Sequence, residues 1–167
     1  MKKLRDKRGM TLVEMLCAVL LLLMMSGLLT LGVNFAVKTY HESMQSSQAQ
    51  ELCSTITAAI SDKLRYCGSV SKNGDSIFIQ DVGSVSGSEG EIFSVNRSGE
   101  ITLDALGSKK LLGSKSYPRG LRVSELKMSY DSDSEIFSVS FKITNAAGEK
   151  ELASADFDVQ RINLSAA

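Results

Sequence analysis

A run of 24 apolar or small residues, Met10 to Val33, contains a single charged side chain, Glu14. About 20 such residues suffice for a helix to cross the hydrocarbon core of a bilayer. A basic cluster precedes the run, and lysine and arginine residues favour the cytoplasmic side of a membrane. We therefore predict one membrane-spanning helix with a cytoplasmic amino terminus and an exported remainder. The cluster comprises Lys2, Lys3, Arg5, Lys7 and Arg8.

The overall charge balance conceals this asymmetry. The 167-residue chain has a formal net charge of zero, yet residues 1–9 hold five basic side chains and one acidic side chain. The remaining residues hold 14 basic and 18 acidic side chains. Positive charge is therefore concentrated on one side of the apolar run, as the topology rule for a membrane anchor requires.

A cleavable secretory signal is the alternative to a lasting anchor. Such a signal has an apolar region of about 7–15 residues and ends in a small-x-small cleavage site. The present run is longer, and Val33-Asn34-Phe35 at its end does not fit that site. Both features favour the anchor.

Glu14 occupies a position where charge is poorly tolerated. A carboxylate near the centre of a spanning helix costs about 2.5–3.5 kcal/mol on insertion scales. The cost is smaller near the amino end, where the helix dipole favours an anion. Position alone leaves two interpretations open, a tolerated interfacial acid and a functional residue.

The residues around Glu14 resemble a known export signal. Lys7-Arg8-Gly9 followed by Met10-Thr11-Leu12-Val13-Glu14 is similar to the class III signal of type IV prepilins and pseudopilins. In that family a basic leader ends in glycine, and a membrane peptidase cuts after the glycine. The new first residue is then N-methylated, and a glutamate stands at the fifth mature position. Methionine departs mildly from the phenylalanine that is often found first.

The resemblance implies roles for three residues. Gly9 and Met10 would flank the prepilin peptidase cleavage site, and Met10 would carry the N-methyl group. Glu14 would act in assembly and register. Cleavage exposes a cationic amine on Met10, so we hypothesise that the Glu14 carboxylate pairs with the Met10 amine of an adjacent subunit, which offsets the cost of a buried charge.

The same resemblance implies a function, a location and partners. The chain would be a structural subunit of a type IV pilus or pseudopilus, of the minor pilin-like kind, serving DNA uptake, secretion, or adhesion and motility. It would sit in the cell membrane and, after assembly, in a filament at the cell surface. Its partners would be prepilin peptidase, other pilin-like subunits, an assembly platform and an ATPase. The alternative is a single-pass anchored binding domain that does not polymerise.

The helix is predicted to continue beyond the membrane. Neither proline nor glycine occurs from Phe35 to Tyr66, and apolar residues recur at intervals of four or its multiples. This amphipathic continuation is expected to end with Cys67-Gly68 as a C-cap. Cys53 and Cys67, 14 residues apart on one helix, would stand roughly 21 Å from each other and could not form a disulfide. The apolar stripe comprises Tyr40, Met44, Leu52, Ile56, Ile60 and Leu64.

The remainder of the chain predicts antiparallel strands. Short strand candidates are Ile77–Ile79, Ile92–Val95 and Ile101–Leu103, with a hairpin turn at Asn96–Gly99 between the last two. A longer meander is expected over 121–130, 136–144 and 151–162, with turns at 131–134 and 145–148. Alternating apolar residues from Phe137 to Ile143 should pack on the helix. Residues 82–90 are expected to form a flexible loop.

These patterns predict an α+β, pilin-like fold, with a long N-terminal helix, first transmembrane and then amphipathic, packed on a C-terminal antiparallel sheet. We divide the chain into a leader peptide (1–9), a transmembrane or filament-core half of the helix (10–33), an amphipathic half (34–67) and an exported β-rich region (68–167).

Catalytic chemistry finds little support in the sequence. No nucleophile–base pair or zinc-ligand spacing is evident, and His41 is the only histidine. We predict no enzymatic activity, no metal and no cofactor. A basic patch permits two interpretations, a solvated loop or a contact with an anionic partner such as DNA or a cell-wall polymer. DNA is the weaker case because Tyr117 is the only aromatic residue nearby. The patch comprises Lys109, Lys110, Lys115, Arg119 and Arg122, with Lys127 beyond it.

Overall fold

The computed structural model describes residues 11–74, 76–80, 90–103 and 109–162. Helix α1 spans Leu12–Arg65, close to the predicted range of Met10 to Tyr66. The chain divides into two units, Met1–Ser43 and Met44–Ala167. The predicted leader, residues 1–9, and almost all of the predicted loop at 82–90 lie outside the described residues.

The first unit contains the amino half of α1, whose apolar side chains are exposed. Its most apolar 18-residue window has a mean hydropathy of 2.5, and none of that window is buried. By length and composition this helix can cross a membrane. Thr30 within it donates its hydroxyl to the Ser26 carbonyl at 2.9 Å, so this polar group is satisfied inside the helix.

In the second unit, one face of α1 enters the hydrophobic core. The buried residues Ala49, Leu52, Ile56, Ile60 and Leu64 follow the helical repeat. The predicted stripe is therefore confirmed from Leu52 onward.

The stripe was predicted to begin too early. Tyr40 and Met44 are 65% and 47% exposed, because the periodic pattern extends beyond the part of α1 that the core covers.

The carboxyl end of α1 differs from the prediction. Gly68 does not lie in the left-handed region, unlike Gly74 and Gly99, so the expected glycine C-cap is wrong. Its amide instead donates to the Gln80 carbonyl at 2.7 Å. The chain leaves the helix directly into a hairpin.

Two short hairpins follow. Strands β1 (Ser69–Asn73) and β2 (Ser76–Gln80) pair antiparallel, and β1 was not predicted because Val70 is its only apolar residue. Strands β3 (Ser94–Val95) and β4 (Ile101–Thr102) pair across the predicted turn, where the Gly99 amide donates to the Asn96 carbonyl at 2.9 Å. Gly99 has a φ of 77°, which favours glycine at that position.

The main sheet has three antiparallel strands in the order β5-β6-β7. They span Leu121–Asp131, Ile136–Asn145 and Glu151–Gln160, and a short 3-10 helix at Ser114–Ser116 precedes them. A bulge interrupts the pairing of β5 with β6 between Ser124 and Lys127. The predicted meander and the α+β, pilin-like fold are thus confirmed.

The sheet buries one face. Phe137, Val139, Phe141 and Ile143 alternate along β6 and are at most 1% exposed. They belong to the same hydrophobic cluster as the buried residues of α1, so the predicted packing of this face on the helix is confirmed.

Ile56 provides a test of this core. It is fully buried, and truncation of a buried isoleucine to alanine typically costs about 2–5 kcal/mol. We expect Ile56→Ala to lower the free energy of unfolding by that amount, measured on the full chain in detergent micelles by urea denaturation.

Met44→Ala is the matched control on the same helix, because Met44 is exposed. It should change the free energy of unfolding by less than about 0.5 kcal/mol. Equal losses in the two variants would contradict the assignment of the core.

Candidate assembly site at the start of the helix

Glu14 and Thr11 form a reciprocal hydrogen-bonded pair at the start of α1. The backbone amide and the hydroxyl of Thr11 each donate to Glu14 Oε2 at 3.0 Å. In return, the Glu14 amide donates to the Thr11 hydroxyl oxygen at 3.3 Å. Thr11 precedes the first helical residue, and Glu14 is the third, so the pair is a capping box.

The sequence signal for this arrangement is Thr-x-x-Glu ahead of an apolar run, and the capping box was not among the predictions made from it. Among the described residues, the Glu14 carboxylate thus already accepts hydrogen bonds from its own helix. Both bonds end on Oε2, and no described residue donates to Oε1. An external cation therefore has one carboxylate oxygen to approach without breaking the cap.

Gly9, Met10 and the five basic residues of the leader lie outside the described residues. Their assignment to cleavage, methylation and targeting remains a prediction. The pairing of Glu14 with a Met10 amine remains a prediction for the same reason.

The predicted basic patch is partly matched by carboxylates from distant parts of the chain. Lys109 pairs with Glu91, which also contacts Lys63 at 3.0 Å, and Lys110 pairs with Glu100 at 2.7 Å. Neither acid was predicted to lie beside these lysines. These ion pairs leave a smaller excess of positive charge in the patch.

The other patch residues lie near the start of β5. Lys115, Arg119 and Arg122 are exposed. The side chain of Arg122 lies against Gly99, so close that a Cβ built on Gly99 would stand 2.6 Å from Arg122 Cβ. Contact of this patch with an anionic partner remains a prediction.

A second polar cluster joins the end of β7 to the turn between β5 and β6. Arg161 Nε contacts Glu135 Oε2 at 2.8 Å, and an Arg161 terminal nitrogen donates to Glu135 Oε1 at 3.1 Å. The Tyr130 hydroxyl donates to Glu135 Oε2 at 2.5 Å. Glu135 has a φ of 55°, which is unusual for a residue with a side chain, and its carboxylate is contacted by both Arg161 and Tyr130.

Burial, followed by the hydrogen bond to Glu135, raises the pKa of Tyr130 to about 12. Cys67 lies nearby and is fully buried, and desolvation raises the pKa of its thiol. The cluster secures the Glu135 turn and the end of β7, and we assign it a structural role.

All three cysteines are free. Cys17 is exposed, Cys53 is half-buried and Cys67 is buried, which confirms the prediction that Cys53 and Cys67 do not pair. The described residues contain no group of three histidine, cysteine, aspartate or glutamate side chains placed to hold a metal ion.

Fold and site together define a class of protein. A long apolar N-terminal helix, capped by an acid in its first turn, precedes a three-stranded antiparallel sheet, which is an α+β, pilin-like arrangement. Residues 4–30 match the family model described as the prokaryotic N-terminal methylation motif, the signature of type IV prepilins. The match supports a type IV pilin-like precursor that prepilin peptidase processes and that is anchored in a membrane. Comparison with curated proteins and comparison with solved structures each gave no match.

The capping box leads to a prediction about the first turn of α1. Replacing Thr11 by valine keeps the size of the side chain but removes the hydroxyl that both accepts from and donates to Glu14. Loss of an N-cap typically costs about 0.5–2 kcal/mol. We expect Thr11→Val to increase amide hydrogen exchange at residues 14 and 15, whose amides donate to the hydroxyl and carbonyl oxygens of Thr11, by about two- to thirtyfold. This range is the same free-energy cost converted to a ratio of exchange rates.

Thr30→Val is the control, because Thr30 makes a hydroxyl bond in the middle of the same helix. It should leave exchange at residues 14 and 15 unchanged. If Thr11→Val also left it unchanged, the capping box would have no energetic role.

The raised pKa of Tyr130 predicts a loss of stability at alkaline pH. An unfolded tyrosine ionises near pH 10, whereas folded Tyr130 ionises near 12. The neutral phenol therefore contributes stability that is complete below about pH 10 and is lost as pH rises through the folded pKa. The wild type should lose unfolding free energy across this window relative to Tyr130→Phe, measured by urea denaturation at each pH.

Tyr66→Phe serves as the matched control, since Tyr66 is exposed. Its stability should follow that of the wild type across the same pH range. Parallel curves for wild type and Tyr130→Phe would show that the Tyr130–Glu135 bond is not responsible.

Proposed function

We propose that the chain is a structural subunit of a type IV pilus or pseudopilus, assembled through its N-terminal helix. The amino terminus faces the cytoplasm, the β-rich region is exported, and assembly carries it to a surface filament. The filament serves DNA uptake, secretion or adhesion. Its role is architectural, without catalysis, metal or cofactor, and a platform protein and an ATPase drive its assembly.

One observation carries this proposal. The match to the methylation motif, residues 4–30, ends inside a helix whose amino half buries none of its apolar side chains. Such a surface is stable only in lipid or against other helices. A prepilin requires both environments in turn, a membrane before assembly and a helix-lined filament core afterwards.

The geometry of Glu14 supports an assembly role. Its carboxylate carries a charge into the apolar run, and the Thr11 bonds engage only one of its two oxygens. The methylated amine of a neighbouring Met10 is a cation of suitable size for the other oxygen. In a low-dielectric core such a pair fixes the axial position of one helix against the next.

Processing is tested first by the mature amino terminus. Sequencing or mass analysis of the membrane-bound protein should find N-methylated methionine corresponding to Met10. Gly9→Val should retain the leader, because the peptidase site would be lost. Gly27→Val is the control and should be cleaved normally, because nothing described lies within 4 Å of an added Cβ apart from the two neighbouring residues and the adjoining helix backbone.

An intact Met1, or a terminus beyond Val33, would overturn the pilin assignment. The first result would favour the single-pass anchored domain that does not polymerise, and the second would favour a secretory signal.

Assembly is tested by Glu14→Gln. Glutamine can still serve as the third residue of a capping box, so the variant removes the charge and spares the cap. We expect normal cleavage after Gly9 but about tenfold less incorporation into filaments, which corresponds to a loss of ~1.4 kcal/mol per contact. Incorporation is measured as the sheared filament fraction relative to the membrane pool.

Glu42→Gln is the matched control, because Glu42 is an exposed acid on the same helix outside the motif. It should assemble at the wild-type level. Normal assembly of Glu14→Gln would sink the ion-pair hypothesis and leave the capping role alone.

A further inference from the structure

Strand β7 forms one edge of the three-stranded sheet, and the charged side chains on it, Glu151, Asp156 and Asp158, are all acidic. Its ten residues, Glu151–Gln160, contain no lysine and no proline, and its pairing with β6 is regular from Ala153 to Gln160. Within the described ranges no strand pairs with its outer side. An open, regular edge of this length is a template for adding another strand.

The opposite edge of the sheet, formed by β5, is unpaired over part of its length among the described residues. The start of β5 is covered, because the Val123 amide donates to the Gly99 carbonyl at 2.9 Å. From Lys127 to Asp131, no strand in the described part of the chain pairs with the outer side of β5.

The exposed face of the sheet carries opposite charges at these two edges. Lys127 on β5 and Asp156 on β7 are both in register with Ser140 on the central strand, so the three residues form one row across the sheet. Both charged residues are exposed. Neither forms a hydrogen bond or an ion pair with any described residue.

The neighbouring row behaves differently. Lys142 on β6 is already matched by two carboxylates, Glu125 Oε2 at 3.1 Å and Glu151 Oε2 at 3.4 Å. Lys142 is therefore already paired inside one molecule, one cation with two carboxylates. The Lys127–Ser140–Asp156 row instead ends in a cation at one edge and an anion at the other.

The charge pattern selects how two copies can meet. Pairing β7 with β7 of a second copy would set the Asp156 and Asp158 carboxylates of the two copies close together, which is unfavourable. Moving a copy sideways along the sheet places its β5 beside β7 of the first copy. Strands β5 and β7 run parallel, so this movement brings Lys127 of one copy next to Asp156 of the other, about 5 Å apart between strands.

We propose that the exported units of successive copies join edge to edge, with β7 of one against β5 of the next and an Asp156–Lys127 ion pair across the junction. The contact is head-to-tail, so it leaves an open edge at each end and propagates rather than closing into a dimer. The inference rests on the proposed function, because it gives the assembled filament a second subunit contact beyond the helix.

Zero-length amine–carboxyl coupling tests the contact in the full-length protein. Two differently tagged copies are expressed together. The first copy carries Lys127→Arg, so within the pair it can contribute only the Asp156 carboxylate to the coupling. The second copy carries Asp156→Asn, so it can contribute only the Lys127 amine. Carbodiimide treatment of assembled material should join the two tags through a Lys127–Asp156 amide bond, identified by mass spectrometry of the linked peptide. Tagged copies that both carry Lys127→Arg should give no such bond.

Charge reversal gives an independent readout. Asp156→Lys or Lys127→Asp alone should reduce incorporation into filaments about fivefold, since like charges would then face each other. The double variant should recover incorporation into filaments, because it restores the ion pair with the cation on β7 and the anion on β5. Glu149→Lys and Lys72→Glu, exposed residues outside the row, are controls with the same charge changes and should assemble normally.

The outcomes separate this inference from the proposed function. Filaments that depend on Glu14 but lack the Lys127–Asp156 bond, or a double variant no better than the singles, overturn the inference alone. A bond from Asp156 to a lysine of a different protein overturns the choice of a second copy. Failure to assemble under any condition overturns both.

Discussion

The apolar surface of the amino half of α1 is the constraint on which the rest of the chain depends. Its leucine, methionine and valine side chains are exposed throughout, and no described part of the chain covers them. Water cannot solvate such a surface without a large free-energy cost. Lipid and neighbouring helices are the two media that remove it. The acid in the first turn of α1 and the sheet that follows the helix in the chain are consistent with the proposed movement between those media.

Glu14 is the point where the two media make different demands. In lipid, the carboxylate needs hydrogen bonds from its own chain, and Thr11 supplies two of them to Oε2. In a helix-packed core it needs a counter-charge, because hydrogen bonds alone leave a desolvated anion. Oε2 accepts the hydrogen bonds from Thr11, and Oε1 remains accessible to a counter-charge. The cap and the ion pair are therefore compatible, and assembly need not break the first turn.

Local signals made much of the fold predictable. The helical repeat identified Leu52 to Leu64, and alternation identified the buried face of β6, because each pattern reports which side chains need cover. The Thr-x-x-Glu cap was equally local and was overlooked. Contacts such as Lys109–Glu91 and Arg161–Glu135 join residues far apart in sequence. No local pattern encodes them, because they exist only after the strands have paired.

The two contact systems proposed for assembly constrain different degrees of freedom. An ion pair at Glu14 fixes how far one helix is displaced along the next, but a nearly featureless apolar surface resists rotation about the helix axis only weakly. The Lys127–Ser140–Asp156 row restricts the rotation of one subunit about its helix axis relative to the next. Its charges pair only when the β7 edge of one subunit faces the β5 edge of its neighbour. Because like edges repel, the row also excludes the two-fold dimer that helix packing alone permits. Axial register and rotational order would thus come from separate parts of the chain.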